Sequence, residues 1–116
     1  MAINYQRMRD TATRLLAENG SQYDVVRKGS ISMSGGKEVH EPDHTFTATG
    51  VRIDYDPKEI DGEFILAGDV RIIFTAEPAL RVGDLVMVDG KQYRIFRPNP
   101  IKPGAVVISY RTQLRA

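Results

Sequence analysis

The chain has 116 residues, 41% hydrophobic and 27% charged, with 16 Lys and Arg against 15 Asp and Glu. That is one domain's length with enough apolar content to build a core, and a net charge of +1 argues against a protein that lives mainly by neutralising phosphates. The absence of cysteine excludes disulfides, thiolate metal sites and cysteine nucleophiles, and no apolar run has the length of a membrane span or a signal peptide, so a soluble single-domain protein over residues 1–116 is expected.

Tyr5, Met8, Ala12, Leu15 and Leu16 recur at helical spacing, with Gln6, Arg7, Arg9, Asp10 and Arg14 elsewhere around the wheel. Asn19-Gly20 supplies a stop, so the pattern predicts one amphipathic helix over residues 3–18. Of the 20 Val and Ile residues, 19 follow position 22, which assigns the remainder to strands.

Tyr23 to Lys28 reads as the first strand. In the next, Phe46 and Ala48 share one parity and Val51, Ile53 and Tyr55 the other, which places a bulge or bend at Gly50. A short piece follows at Phe64 to Leu66, and then Val70, Ile72, Phe74 and Ala76 alternate with Arg71, Ile73, Thr75 and Glu77. Leu85 to Val88, the turn Asp89-Gly90 and Gln92 to Arg97 form a hairpin. After a proline-rich loop from Asn99 to Gly104, Val106, Ile108, Tyr110, Thr112 and Leu114 carry the last strand. The predicted class is mainly β (α+β): a small antiparallel β-barrel or sandwich of five to seven strands over residues 23–116, with one N-terminal helix and a long mobile loop.

Ile73, Val86, Val88, Phe96 and Val107 are apolar residues of the parity opposite to the expected core, so either the helix covers them or they face another subunit. Gly29 to His44 is longer than a hairpin loop, rich in Gly and Ser, and is expected to be mobile, with Lys37 near its tip as the first site of tryptic cleavage. Asp54, Asp56, Glu59, Asp61 and Glu63 crowd one stretch, where Pro57 could start a helical turn. From Gly90 onward Lys91, Arg94, Arg97, Lys102, Arg111 and Arg115 stand without any acid. Two separated patches of opposite charge suit either plain solvated surface or charge-complementary stacking of subunits.

His40-Glu41-Pro42-Asp43-His44 matches the spacing of a zinc-protease motif, but Pro42 breaks the helix on which two histidines must converge on a metal. Ser34-Gly35-Gly36-Lys37 is too short for a phosphate-binding loop and lacks its strand-to-helix context. Tyr93, Phe96 and Tyr110 could stack bases, yet Tyr93 and Tyr110 have the parity of the core. No enzyme, cofactor or metal is therefore expected.

The helix NYQRMRDTATRLLAENG, the Gly-rich loop, DGEFILAGDVRIIF, and the closing run from Gly83-Asp84 through Asp89-Gly90 and Tyr93-Arg94-Ile95 to Gln113-Leu114-Arg115 together resemble the head-to-tail joining, or head-closure (stopper), proteins of tailed bacteriophages. The resemblance implies a structural subunit of the virion neck, made in the host bacterial cytoplasm, that forms a homo-oligomeric ring of six or twelve copies. Such a ring meets a portal or adaptor on one side and tail-tube or tail-terminator proteins on the other, retains packaged DNA without reading its sequence, and involves no membrane. Ordered assembly implies a monomer in dilute solution.

In stoppers the long loop projects toward the channel, which here implies Ser30 to Asp43, with Ser30, Met33, Gly35, Gly36, Lys37, Glu38 and His40 as channel-facing candidates. Ile73, Val86, Val88, Phe96, Asp56, Glu59, Arg97, Arg111 and Arg115 are the corresponding candidates for subunit or partner contacts. A tail-completion or tail-terminator protein is the nearest alternative, and a nucleic-acid-binding small barrel the alternative outside phages.

Overall fold

The computed structural model describes residues 4–116; the predicted helix start at residue 3 lies outside them. Helix α1 (Tyr5–Asn19) opens at Asn4, whose side chain accepts the Arg7 amide at 3.0 Å and so satisfies a donor that the first turn cannot. It ends at Gly20 in extended backbone, where a Cβ would run into the Gly50 carbonyl oxygen. Tyr5, Arg9, Ala12 and Leu16 are half-buried, and Arg9 reaches Glu77 at 2.6 Å. No residue of α1 is buried, and Met8 and Leu15 of the predicted stripe remain 46% and 47% exposed. The helix therefore covers the barrel with only part of its apolar face.

Nine strands follow: β1 (Ser21–Arg27), β2 (Ile31–Ser34), β3 (Lys37–His40), β4 (His44–Arg52), β5 (Val70–Thr75), β6 (Leu85–Val88), β7 (Lys91–Arg97), β8 (Pro100–Ile101) and β9 (Ser109–Arg115). Six of them, in the order β5-β4-β1-β6-β7-β9, close into an antiparallel barrel because β9 pairs back onto β5. The other edge of β9 takes β7 and then the extra strand β8. Closure removes the free sheet edges that an open sandwich would expose. Gly50 is the corner at which β4 passes from β1 to β5: a Cβ there would meet the Ile73 carbonyl oxygen at 2.7 Å and the Phe74 ring at 2.8 Å.

Val25, Ala48, Val70, Ile72, Phe74, Val86, Val88, Ile95, Tyr110 and Leu114 fill the barrel, with Tyr23, Phe46, Tyr93 and Val107 packed against them. Val86 and Val88, expected on an interface, are 0% and 2% exposed core residues. In the run Leu85-Val86-Met87-Val88 both parities are apolar, so alternation carries no information there. Pairing of Val86 with Val25 fixes the inward set, and Met87 points out. Phe64 to Leu66 is not a strand but a turn shaped by Asp61, whose carboxylate accepts the amides of Glu63, Phe64 and Ile65. The last strand starts at Ser109 rather than Val106, since Pro103 and Gly104 keep the chain irregular up to Ile108.

The largest departure lies between residues 29 and 44. The β1–β4 ladder pairs Ser21 with Gly50 through Arg27 with His44, and β2–β3 pairs Ile31 with His40 through Ser34 with Lys37. The two partner numbers always sum to the same value, so this is one ribbon in one register, interrupted at its waist and closed by a two-residue turn. Gly35 and Gly36 have φ of 61° and 80°, as a turn matching strand twist demands. An expected irregular loop is thus a β-arm. Eight residues beyond Arg27 at about 3.3 Å each carry it roughly 25 Å from the barrel. The molecule accordingly measures 56 × 36 × 25 Å, with a radius of gyration of 16.3 Å, where a compact domain of this length would show about 13 Å.

Candidate interaction surfaces

The arm is built on the sequence that leaves the barrel wall. Its waist is clasped by Asp43, which accepts the Gly29 amide at 2.9 Å and pairs with Lys28 at 3.3 Å, while the Glu41 amide reaches the Ser30 carbonyl. The Gly29 amide, and then Lys28, hold the Asp43 carboxyl below its usual pKa. Beyond this waist every residue of β2 and β3 is exposed, Ile31 at 65% and Met33 at 68%. The common register gives these two the same parity as Tyr23 and Val25, the inward side chains of β1. The arm thus continues the core-facing side of the barrel wall past the point where the core ends. Ile31 and Met33 share that face with their cross-strand partners His40 and Glu38; Ser32, Ser34, Lys37 and Val39 occupy the other.

All seven proposed loop residues, Ser30, Met33, Gly35, Gly36, Lys37, Glu38 and His40, lie on this arm. His40 ends β3 and His44 begins β4, with Pro42 between them in neither strand, so the zinc-motif spacing falls on no helix. His40 Nε2 stands 3.4 Å from Glu38 on the same arm face, and His44 packs its ring at 5.5 Å from Phe46.

A second unpartnered surface runs along α1. Asn4, Arg7, Met8, Thr11, Ala12 and Leu15, with Ile108 beneath them, line an open and mainly apolar groove of about 600 Å³. Arg7 is its one charged residue, and among the described residues no carboxylate lies within ion-pair reach of it. The gap exists because the helix turns Tyr5 and Leu16 to the barrel and leaves Met8 and Leu15 outside.

The third surface is the outer side of β7, β9 and β5. Arg94 stands directly opposite Arg115 across the ladder, and the β7 register shifts between Ile95 and Arg97, leaving Phe96 and Arg97 both outward. Arg115 stacks over Phe96 at 4.1 Å, and Arg97 lies 5.4 Å from both Phe96 and Phe64. The expected separation of acidic and basic patches does not occur, because β9 pairs with β5 beside the acidic stretch. Asp56 and Glu59 cap the 3₁₀ turn Pro57–Glu59, and Glu59 also meets Arg71 at 3.2 Å. The Asp56 amide, with Arg71 after it, holds the Glu59 carboxyl low. Among the described residues Arg94, Arg97 and Arg111 have no acidic partner, so this face keeps positive charge. Of the predicted contact residues, Phe96, Arg97, Arg111 and Arg115 gather here; Asp56 and Glu59 are engaged within the chain, and Ile73 is half-buried.

Two carboxylates that fix these surfaces escaped the sequence reading. Asp84, 3% exposed, receives a two-pronged hydrogen bond from Arg27 at 2.9 and 3.0 Å and the Arg81 amide at 2.9 Å. This locks the β1 end from which the arm departs. Asp69 does the same for Arg115, at 2.9 and 3.0 Å, with Gln113 and the Leu66 amide as further donors. Burial pushes the Asp69 carboxyl up, but the hydrogen bonds from Arg115, Leu66 and Gln113 outweigh it and leave the pKa lowered. The sequence signal was faint: one Gly-Asp before each of two strands.

No helix among the described residues is long and apolar enough to cross a membrane. No family model matches the chain, and neither a curated protein nor a solved structure matches it.

Proposed function

We propose that this chain is a structural subunit of a tailed-phage neck: a head-closure or head–tail joining protein that acts as a ring rather than as an enzyme. The observation that carries the reading is the arm, which extends core-parity apolar side chains some way beyond the barrel core. Such a subunit is incomplete alone. The open groove on α1 and the arginine-rich face of β7 and β9 are two further surfaces in search of partners, and they suit contacts to neighbouring copies and to an acidic ring stacked above or below. The order of helix, long Gly-rich segment, hairpin and closing strand is the one the resemblance to stopper proteins rests on. In this reading the portal or adaptor and the tail-side ring are the partners, the virion neck is the location, and DNA is held by the assembly without base recognition.

Deleting the gene from an inducible phage genome that carries it tests this directly. Electron micrographs of the lysate should show free tails and heads emptied of DNA; normally joined, infectious particles overturn the reading. DNA-filled heads beside tails of abnormal length would assign the protein to tail completion instead.

A further inference from the structure

We infer that the arm of one copy docks in the α1 groove of the next, with Ile31 and Met33 on Met8, Ala12 and Leu15, and Glu38 on Arg7. This deepens the ring reading and rests on it. The two surfaces match in chemistry. The arm face presents two apolar side chains and one acid, beside His40; the groove presents three apolar helix residues and one base. Among the described residues Glu38 pairs only with the exposed imidazole of His40 and Arg7 has no acidic partner, so each lacks a strong ion pair until the surfaces meet.

They also match in spacing. Ile31 and Met33 lie about 7 Å apart along a strand, within the roughly 10 Å that separates Met8 from Leu15 along two turns of helix. Two methionines at the centre give the contact adaptable packing. Arm and groove are different surfaces, so their union is heterologous: each copy offers one of each, and repetition generates a closed ring when the rotation permits. A contact made by two apolar side chains and one acid on each arm is too slight to hold a stable complex by itself, which keeps free subunits monomeric until a template concentrates them.

The chain has no cysteine, so a Met8→Cys/Met33→Cys variant carries its only two thiols on the proposed partner surfaces. Oxidised at high concentration or on tailless heads, it should give a ladder of covalent multimers ending at one ring size, whereas each single variant stops at dimers. Adding Glu38→Arg should cut the ladder about tenfold, since like charges then meet, and Arg7→Glu in the same chain should restore it. Both positions are exposed, and an unchanged melting curve for each variant separates lost docking from lost folding. If a lysine-reactive crosslinker traps rings while the thiol pair stays silent, the arm contact is wrong and the ring stands. If neither reagent gives anything beyond monomer on heads or at high concentration, the arm contact and the ring both fall.

Discussion

Two hairpins in this molecule share a turn chemistry and have opposite surroundings. The β6–β7 hairpin turns through Asp89 and Gly90 at φ of 51° and 76°, and the arm turns through Gly35 and Gly36 at 61° and 80°. Both close a two-residue loop in the backbone region that follows strand twist. The first buries Val86, Val88 and Ile95 in the barrel; the second buries nothing. Turn residues therefore determine that a hairpin forms, while packing decides whether it belongs to the subunit's own core. An isolated two-stranded ribbon is marginal in water, so the arm owes its shape to the ladder it continues and to the Asp43 clasp at its waist.

The widest gap between the two hairpins should appear on truncating one apolar residue in each. Ile95→Ala leaves a cavity in a closed barrel and should lower stability by about 2–5 kcal/mol, whereas Met33→Ala should change it by less than about 0.5 kcal/mol. Urea unfolding of the two variants checks this. A comparable loss from Met33→Ala would mean that the arm folds back onto the barrel in solution.

A smaller effect is expected at the arm's root. Asp84→Asn removes the charge that Arg27 grips, and because Arg27 is a quarter exposed the loss should be roughly 2–3 kcal/mol, below that of a fully buried pair. Asp43→Asn, at the exposed waist, should leave the barrel's unfolding midpoint alone and loosen only the arm, read as faster amide exchange at Gly29 and Glu41. If both variants lower the midpoint equally, arm and barrel form one cooperative unit.

Acid should weaken the barrel through Asp69. The folded Asp69 carboxyl has a lowered pKa, so it binds its proton less readily than in the unfolded chain. Its contribution to stability is present above the ordinary carboxylate pKa and is lost as pH falls through the folded value. Asp69→Asn should therefore be less stable than the parent at neutral pH, with the difference shrinking toward pH 2. A difference independent of pH would show that Asp69 acts by shape and not by charge.

The barrel was legible because its strands alternate, its Asp89-Gly90 turn is distinctive, and Gly50 sits where the inward parity breaks. Parity failed at Val86 and Val88, where neighbours on both sides are apolar and only the partner strand selects a face. The charge patches do not stay apart for a different reason: sequence distance hides that β9 lies beside β5, which sets Arg97 and Arg111 on the same surface as Glu59. The arm carried a readable signal, since Gly35-Gly36 is a hairpin turn and positions 31–34 mirror 37–40. Its serines and glycines resemble a loop because nothing among the described residues covers it, and composition reports burial more directly than it reports pairing.

The smallest change in global stability, and the sharpest contrast between the hairpins, should come from a single cut. Lys37 follows the Gly35-Gly36 turn on an arm without buried side chains, so opening its few ladder bonds exposes the peptide bond to trypsin at little cost. Lys91 occupies the matching position after Asp89-Gly90, but it is bracketed by Val88 and Ile95, which are anchored in the core. Brief digestion of the free protein should cleave after Lys37 well before Lys91, and the nicked chain should stay folded, because β1 still pairs with β4 and β6 across the cut. Gly36→Ala, which forces a side chain into φ of 80°, should speed that cut while leaving the melting temperature unchanged. In assembled rings a docked arm should become protected, whereas an arm hanging in the channel should be cut as fast as in the monomer. Should Lys91 be cleaved first in the free protein, the arm is the firmer of the two hairpins and the contrast drawn between them is wrong.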